Sequence, residues 1–203
     1  MTLAGILLGA GASRRFGKKD KLLEPLRGKP LVTHAASALR DFAPDHLIGV
    51  ARSASVIDQL RDFDIVSPNE DDPAQSDSLR AGVARAQDLG ASRVLIVLGD
   101  MPFITLDLLR EVVARSTDTR PSAATDKACA LPPACFPAAS FPDLMALRGD
   151  RGAAALLQDL PETHLVPVSS RLLKDIDTHV DLTVANGENQ DLVASGFPDE
   201  SGR

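Results

Sequence analysis

Hydrophobic and polar positions along this chain recur with two different periods, and the switches between them mark its elements. Leu3, Ile6, Leu7 and Leu8 form a short apolar run stopped by Gly9, which predicts a buried strand over residues 2–8. Behind Lys29-Pro30, the residues Leu31, Val32, Ala35, Ala38 and Leu39 recur at helical spacing, so a helix with proline in its first turn is expected. A strand over 46–51, a short helix over 53–61 and a strand over 63–66 follow. Residues 69–77 are polar and contain proline, hence a loop, after which Ser76 or Asp77 is expected to cap a helix reaching about Leu89. The clearest strand is Arg93-Val94-Leu95-Ile96-Val97-Leu98, which runs straight into Gly99-Asp100-Met101-Pro102. Thr105 then stands at the cap position of a helix carrying Leu106, Leu109, Val112 and Val113.

This alternation implies an α/β fold: a Rossmann-like, mostly parallel sheet with helices on both faces. Beyond Ser116 the pattern loosens. Residues 117–140 are rich in Pro, Ala, Thr and Ser and predict only a pair of short strands, near 122–125 and 128–131. Segments 141–147 and 152–160 read as helices flanking Gly149-Asp150-Arg151-Gly152, and 164–168 reads as a strand. Leu172–Ile176 leads into Asp177-Thr178 and a helix with Asp181 in its first turn. The expected organisation is one domain over 1–187 and a polar, loosely ordered tail over 188–203.

Composition narrows the chemistry. A net charge of −6, with seven Phe and no Trp or Tyr, argues against nucleic-acid binding, which needs a basic face and stacking residues. A local basic loop can still hold a small anion. Cys129 and Cys135 lack metal-ligand spacing and are expected to be reduced thiols. No apolar run approaches the roughly 20 residues that span a bilayer, and no basic segment precedes the first strand, so a cytoplasmic protein without membrane contact is expected.

Three stretches carry candidate chemistry. The first is Gly9-Ala10-Gly11-Ala12-Ser13-Arg14-Arg15-Phe16-Gly17, followed by Lys18, Lys19 and Lys21. It is neither a dinucleotide fingerprint, since Arg14 stands where a third glycine is needed, nor a P-loop. A glycine turn behind a strand offers backbone N–H groups to phosphates, and Arg15 and Lys21 add charge. The second is Asp100, at the carboxyl edge of the most apolar strand, where open α/β sheets bind ligands. The third is Asp175-Ile176-Asp177-Thr178. If this stretch is extended, Asp175 and Asp177 share a face, and one of them could join Asp100 on a magnesium ion. A plain helix start capped by Thr178 explains it equally well. His34, His46, His164 and His179 are scattered, with no paired spacing, and are expected to be structural.

Together these features resemble the MobA-like nucleotidyltransferases, and within them the molybdenum cofactor cytidylyltransferases. The resemblance rests on Leu8, Gly11, Ser13, Arg15, Gly17 and Lys21, then Gly28-Lys29-Pro30-Leu31, then Asn69 with Ser78-Leu79. It continues through Gly99-Asp100-Met101-Pro102, Gly149-Asp150-Arg151-Gly152 and Asp175-Ile176-Asp177-Thr178, spanning roughly residues 3–185. It implies a nucleotide-diphospho-sugar transferase-like fold and Mg²⁺-dependent transfer of CMP from CTP to the terminal phosphate of molybdopterin, with release of pyrophosphate. Arg15, Lys21 and Asp100 would be catalytic. Leu8, Gly9, Ala10, Gly11, Ser13, Arg15, Lys21, Asn69, Ser78 and Asp100 would bind the nucleotide, Asp100 and Asp177 the metal, and Gly149, Asp150, Arg151 and Gly152 the pterin-phosphate acceptor. A molybdenum hydroxylase would be the protein partner.

The chain departs from that family in three places. Lys18 and Lys19 rival Lys21 for the triphosphate contact, Gln75 stands where relatives carry glycine, and Leu131-Pro132-Pro133 replaces a glycine-and-proline turn. Ala10 resembles the CTP-using branch, with GTP as the alternative donor. Another phosphorylated acceptor, or a protein that binds nucleotide or cofactor without turnover, are the alternative readings.

Overall fold

Ile6 and Leu7, neighbours on the strand β1 (Leu3–Leu8), are both fully buried, on opposite faces of one sheet. They are seen in a computed structural model that describes residues 1–10, 16, 20–68, 74–150 and 152–187. Leu7 packs into the core shared with the helices α1 (Leu31–Phe42) and α4 (Leu106–Arg115). Ile6 packs with α3 (Gln75–Asp88) and α5 (Phe141–Ala146). The strand β6 (Arg93–Leu98) repeats the split, with Leu95 and Val97 on the first face and Val94 and Ile96 on the second. Alternate residues of a strand point to opposite sides, so two covered faces require the unbroken apolar runs that the sequence shows.

The sheet has seven strands in the order β5 (Asp64–Val66), β4 (His46–Val50), β1, β6, β8 (Ala130–Pro137), β7 (Ser122–Thr125) and β9 (Leu165–Pro167). Every pairing is parallel except those of β8. The expected mostly parallel α/β architecture is therefore present. The connection after β1 leads outward to β4 and β5, whereas the chain after β6 builds the other half, so the strand order reverses between β1 and β6. A small hairpin, β2 (Pro25–Leu26) with β3 (Lys29–Pro30), precedes α1. The helices α2 (Ala54–Gln59) and α6 (His179–Gly187) complete the α-helices among the described residues. No described helix is long and apolar enough to cross a membrane.

Several local expectations change. Pro30 lies just outside α1, at its cap position. Ser76 and Asp77 do not cap α3 from outside: the helix begins at Gln75, and the Asp77 carboxylate accepts the Ala74 N–H at 2.8 Å. An acid in the first helical turn can satisfy a free N–H as well as a cap residue can. The short strand expected over 128–131 is an eight-residue strand, β8, continuing through Pro132-Pro133. The register steps from Ala124↔Leu131 to Ala123↔Ala134. The two prolines thus fall in a bulge, where a missing N–H costs the ladder nothing. Residues 152–160 form only a 3₁₀ turn at Ala153–Leu156. The tail 188–203 lies outside the described residues.

The cysteines are both free: Cys129 is exposed and Cys135 buried. Burial pushes the Cys135 thiol up to about 11, so it behaves as a small apolar core residue. His34 hydrogen-bonds the Leu26 carbonyl at 2.9 Å, a structural role.

One glycine sets how closely α3 approaches the sheet. A Cβ on Gly82 would lie 2.7 Å from Ile6 Cγ2 and 3.1 Å from Val50 Cγ2, both on buried β-branched side chains. Valine gains a few tenths of a kcal/mol in helix propensity, but overpacking costs about 2–3 kcal/mol. Gly82→Val should lower the melting temperature by roughly 5–10 °C, measured by thermal unfolding; an unchanged midpoint would mean the interface has slack.

Candidate active site

The reversal of strand order opens a crevice at the carboxyl ends of β1 and β6, the usual ligand position in such sheets. Backbone bonds tie the carboxyl ends of β4, β1 and β6 together. The Gly9 N–H donates to the Val50 carbonyl at 2.8 Å, and the Gly99 N–H donates to the Leu8 carbonyl at 2.9 Å. A Cβ on Gly99 would stand 3.2 Å from that same Leu8 oxygen, so glycine permits the close approach. Met101 and Pro102 are buried beneath the turn, while Asp100 turns its carboxylate outward with 21% of its side chain exposed.

Lys21 meets that carboxylate. It opens a 3₁₀ turn, Lys21–Leu23, pinned by buried Leu22 and by the Asp20 carboxylate, which accepts the Leu22 N–H at 3.1 Å. Lys21 Nζ donates to Asp100 Oδ2 and to Asp177 Oδ1, each at 2.7 Å. Burial disfavours the ammonium charge, but the adjacent Asp100 and Asp177 outweigh it and hold the Lys21 pKa above its ordinary value. Lysine therefore enters this centre charged at any physiological pH.

Asp177 is placed by the start of α6. The Thr178 hydroxyl accepts the Asp181 N–H at 3.1 Å, and Asp181 Oδ2 accepts the Thr178 N–H at 2.8 Å. That reciprocal cap fixes the backbone on which Asp177 sits. The Thr178 hydroxyl also donates to Asp181, which holds that carboxyl below its usual value. The cap reading of Thr178 and the placement of Asp177 beside Asp100 therefore both hold. Residues 172–177, for which an extended stretch was one of two open readings, join no sheet: 172–173 lie in a turn and 174–177 are irregular. They are locked instead by fully buried Ile176, whose N–H donates to the Asp100 carbonyl at 3.0 Å. Burial, then the charges of Asp177 and Asp100, raise the Asp175 pKa. His179 opens α6 with its ring centroid 4.4 Å from that of Phe16, which joins the first loop to α6. The sequence offered no sign of this contact, because its residues lie far apart in the chain.

The second part of the site lies along the same sheet edge. The Ser76 N–H at the start of α3 donates to the Gly149 carbonyl at 3.1 Å, and a Cβ on Gly152 would meet Gln75 Oε1 at 2.6 Å. Beside this contact a cleft of about 580 Å³ is lined by Gln75, Lys127, Cys129, Asp150 and Gly152, among others. Such a volume suits a small molecule. Lys127 is held at φ +79° in the β7–β8 turn, its N–H donating to Thr125 Oγ1 at 3.1 Å. Asp126 Oδ1 accepts the N–H groups of Ala128 and Cys129 at 3.0 and 3.3 Å. A left-handed lysine in a hydrogen-bonded turn marks a built feature. Because β7 runs parallel to β6 two strands away, the turn lies on the Asp100 edge at about 10 Å of lateral spacing.

Of the expected residues, the structure brings Lys21, Asp100 and Asp177 into contact and places Leu8, Gly9 and Ala10 at the crevice end of β1. Asp150 and Gly152 line the cleft, with Gly149 beside α3. Ser78 is buried within α3, 5% exposed. Gly11, Ser13, Arg15, Lys18, Lys19, Asn69 and Arg151 lie outside the described residues. The sequence reading missed Lys127 and Cys129; the polar Thr125-Asp126-Lys127 turn was the sign available.

The donor set bears on a metal. Among the described residues, no group of three or more His, Cys, Asp or Glu side chains is placed to hold an ion. Two carboxylates do converge on one cationic atom. Magnesium is typically held by one or two carboxylates, with substrate phosphates and water completing the shell. The residues therefore fit an ion that arrives with a polyphosphate.

A family profile described as the MobA-like NTP transferase domain matches residues 5–165. The purine catabolism protein PucB of Bacillus subtilis is 28% identical over 77% of this chain and 80% of its own length. The bifunctional protein GlmU of Francisella philomiragia is 31% identical over 58% of this chain but only 26% of its own length, so the chain spans about a quarter of that relative. Among solved structures, Rv0371c of Mycobacterium tuberculosis superposes with a TM-score of 0.77 at 25% identity, over 92% of this chain and 99% of that one. A structure of Rv0371c in complex with manganese matches with a TM-score of 0.74 at 24% identity, over 92% and 99% of the two chains.

Proposed function

Since the chain belongs to the MobA-like NTP transferase family, a family of nucleotidyltransferases, we propose that it transfers CMP from CTP to the terminal phosphate of molybdopterin and releases pyrophosphate. The observation that carries this reading is the convergence of Lys21, Asp100 and Asp177 at the strand-order reversal, at 2.7 Å contacts. Carboxylates and a cation on a flexible stem at the mouth of a glycine turn are what a triphosphate and its metal require.

An oxygen of the acceptor phosphate attacks the α-phosphorus in line, the bond from that phosphorus to the bridging oxygen of the β-phosphate breaks, and pyrophosphate leaves with the electron pair. No protein nucleophile is needed. Leu8, Gly9, Ala10, Gly11 and Ser13 cradle the nucleotide, with Asn69 and Ser78 beside it, and Arg15 and Lys21 balance the charge of the departing pyrophosphate. Asp100 and Asp177 hold Mg²⁺, which when bound supplies charge neutralisation at the reacting phosphate. Asp150 and Gly152 line the cleft that receives the acceptor, with Gly149 and Arg151 as its further acceptor-binding residues, so the acceptor phosphate enters along the edge that carries Asp100. Ala10 favours CTP over GTP, and a molybdenum hydroxylase is the expected recipient of the product.

Purified protein with Mg²⁺ and molybdopterin should release pyrophosphate from CTP and far less from GTP, followed by a coupled phosphate assay. Preference for GTP would reverse the base assignment. Release with another phosphorylated acceptor and none with molybdopterin would reverse the acceptor assignment. Tight nucleotide binding with no release from any acceptor would make the protein a binding module.

A further inference from the structure

The position that a metal would take between Asp100 and Asp177 is held by the protein's own cation. Lys21 Nζ lies 2.7 Å from an oxygen of each carboxylate, with only 14% of the lysine side chain exposed. We propose that Lys21 is the resident counter-ion of this site, so that a divalent cation binds well only when a nucleotide triphosphate arrives with it to receive the displaced ammonium. The inference rests on the nucleotidyl-transfer reading and adds to it an order of binding.

The argument is one of shared oxygens and charge. A magnesium ion bonds carboxylate oxygen at about 2.0–2.1 Å, so an ion on Asp100 Oδ2 and Asp177 Oδ1 would crowd an ammonium held by the same two atoms. Both cations cannot occupy the position together. Lysine can leave it, because its ammonium is a point charge on a flexible stem with rotatable donors. Leaving removes two charge-assisted partners from a group that is mostly buried, which is unfavourable unless another anion replaces them. Lys21 sits in the turn that follows the glycine loop, next to where the triphosphate would lie, and the phosphates replace the lost carboxylates. Metal alone therefore meets a competitor, whereas metal with nucleotide meets a lysine with a new partner. By linkage, each ligand strengthens the other.

The test measures free Mn²⁺ by electron paramagnetic resonance with the whole chain and no acceptor. Native protein should bind Mn²⁺ weakly alone and more tightly with CTP, a coupling between about 5- and 150-fold. Lys21→Met keeps the stem and removes the charge. It should bind Mn²⁺ alone more tightly than native protein, by about tenfold or more, and lose most of the coupling to CTP. Lys21→Arg, which keeps the charge, should stay weak for Mn²⁺ alone. Adding Asp100→Asn to Lys21→Met should cancel the gain, which locates it at this site. The proposal is overturned if Lys21→Met, folded by circular dichroism, binds Mn²⁺ alone no better than native protein. A gain that survives Asp100→Asn overturns it as well. Failure of the transfer reading looks different: no pyrophosphate from native protein, with the Mn²⁺ gain intact.

Discussion

Asp100→Ala is expected to cut pyrophosphate release by at least about 10³-fold, because removing a group that holds charge-stabilising machinery at the reacting centre costs several kcal/mol of transition-state stabilisation. The fold should survive. The structural bond in this turn comes from the Asp100 backbone carbonyl, which accepts the Ile176 N–H at 3.0 Å and is kept in the variant. Its carboxylate is partly exposed and engages Lys21, which retains Asp177 as a partner. Initial rates alongside a circular dichroism spectrum and melting curve check both halves. Undiminished turnover would remove Asp100 from the metal assignment.

The second large effect is on stability. Phe136→Ala should cost about 3–5 kcal/mol and lower the melting temperature by roughly 10 °C. Phe136 lies on β8 opposite Val94, is fully buried, and fills the face that α3 and α5 cover, beside Phe141 and Leu144. Truncation leaves a cavity between a sheet and two helices, which can collapse only in part. Thermal unfolding reads the result directly. A midpoint within about 2 °C of native, equivalent to a loss below about 1 kcal/mol, would mean that β8 is not a core strand.

That strand shows where reading the sequence alone stops. Strands β1, β4 and β6 were legible because both of their faces are covered, which demands continuous apolar runs. β8 is equally central, yet it contains Pro132-Pro133 among alanines. Propensity counts prolines as breakers, whereas the register step opposite Ala123 and Ala124 absorbs them. The same limit applied to residues 172–177, where an extended run and a plain helix start were both open readings. There the position of Asp177 comes from a helix cap and from buried Ile176.

Residue order alone determined the α/β alternation, the end of β1 at Gly9, the Asp100 turn after β6 and the cap at Thr178, since each depends on neighbours within a few positions. Tertiary structure decided which of these meet. Lys21 is separated from Asp100 by 79 positions and from Asp177 by 156, and no local preference spans such distances. Parallel pairing of β1 with β6 sets the carboxyl ends of the two strands side by side, and the packing of Ile176 brings the third group to them. The pairing of Lys21 with both carboxylates follows from that convergence. Like charges gathered in a partly buried crevice need a cation, and the folded chain supplies its own.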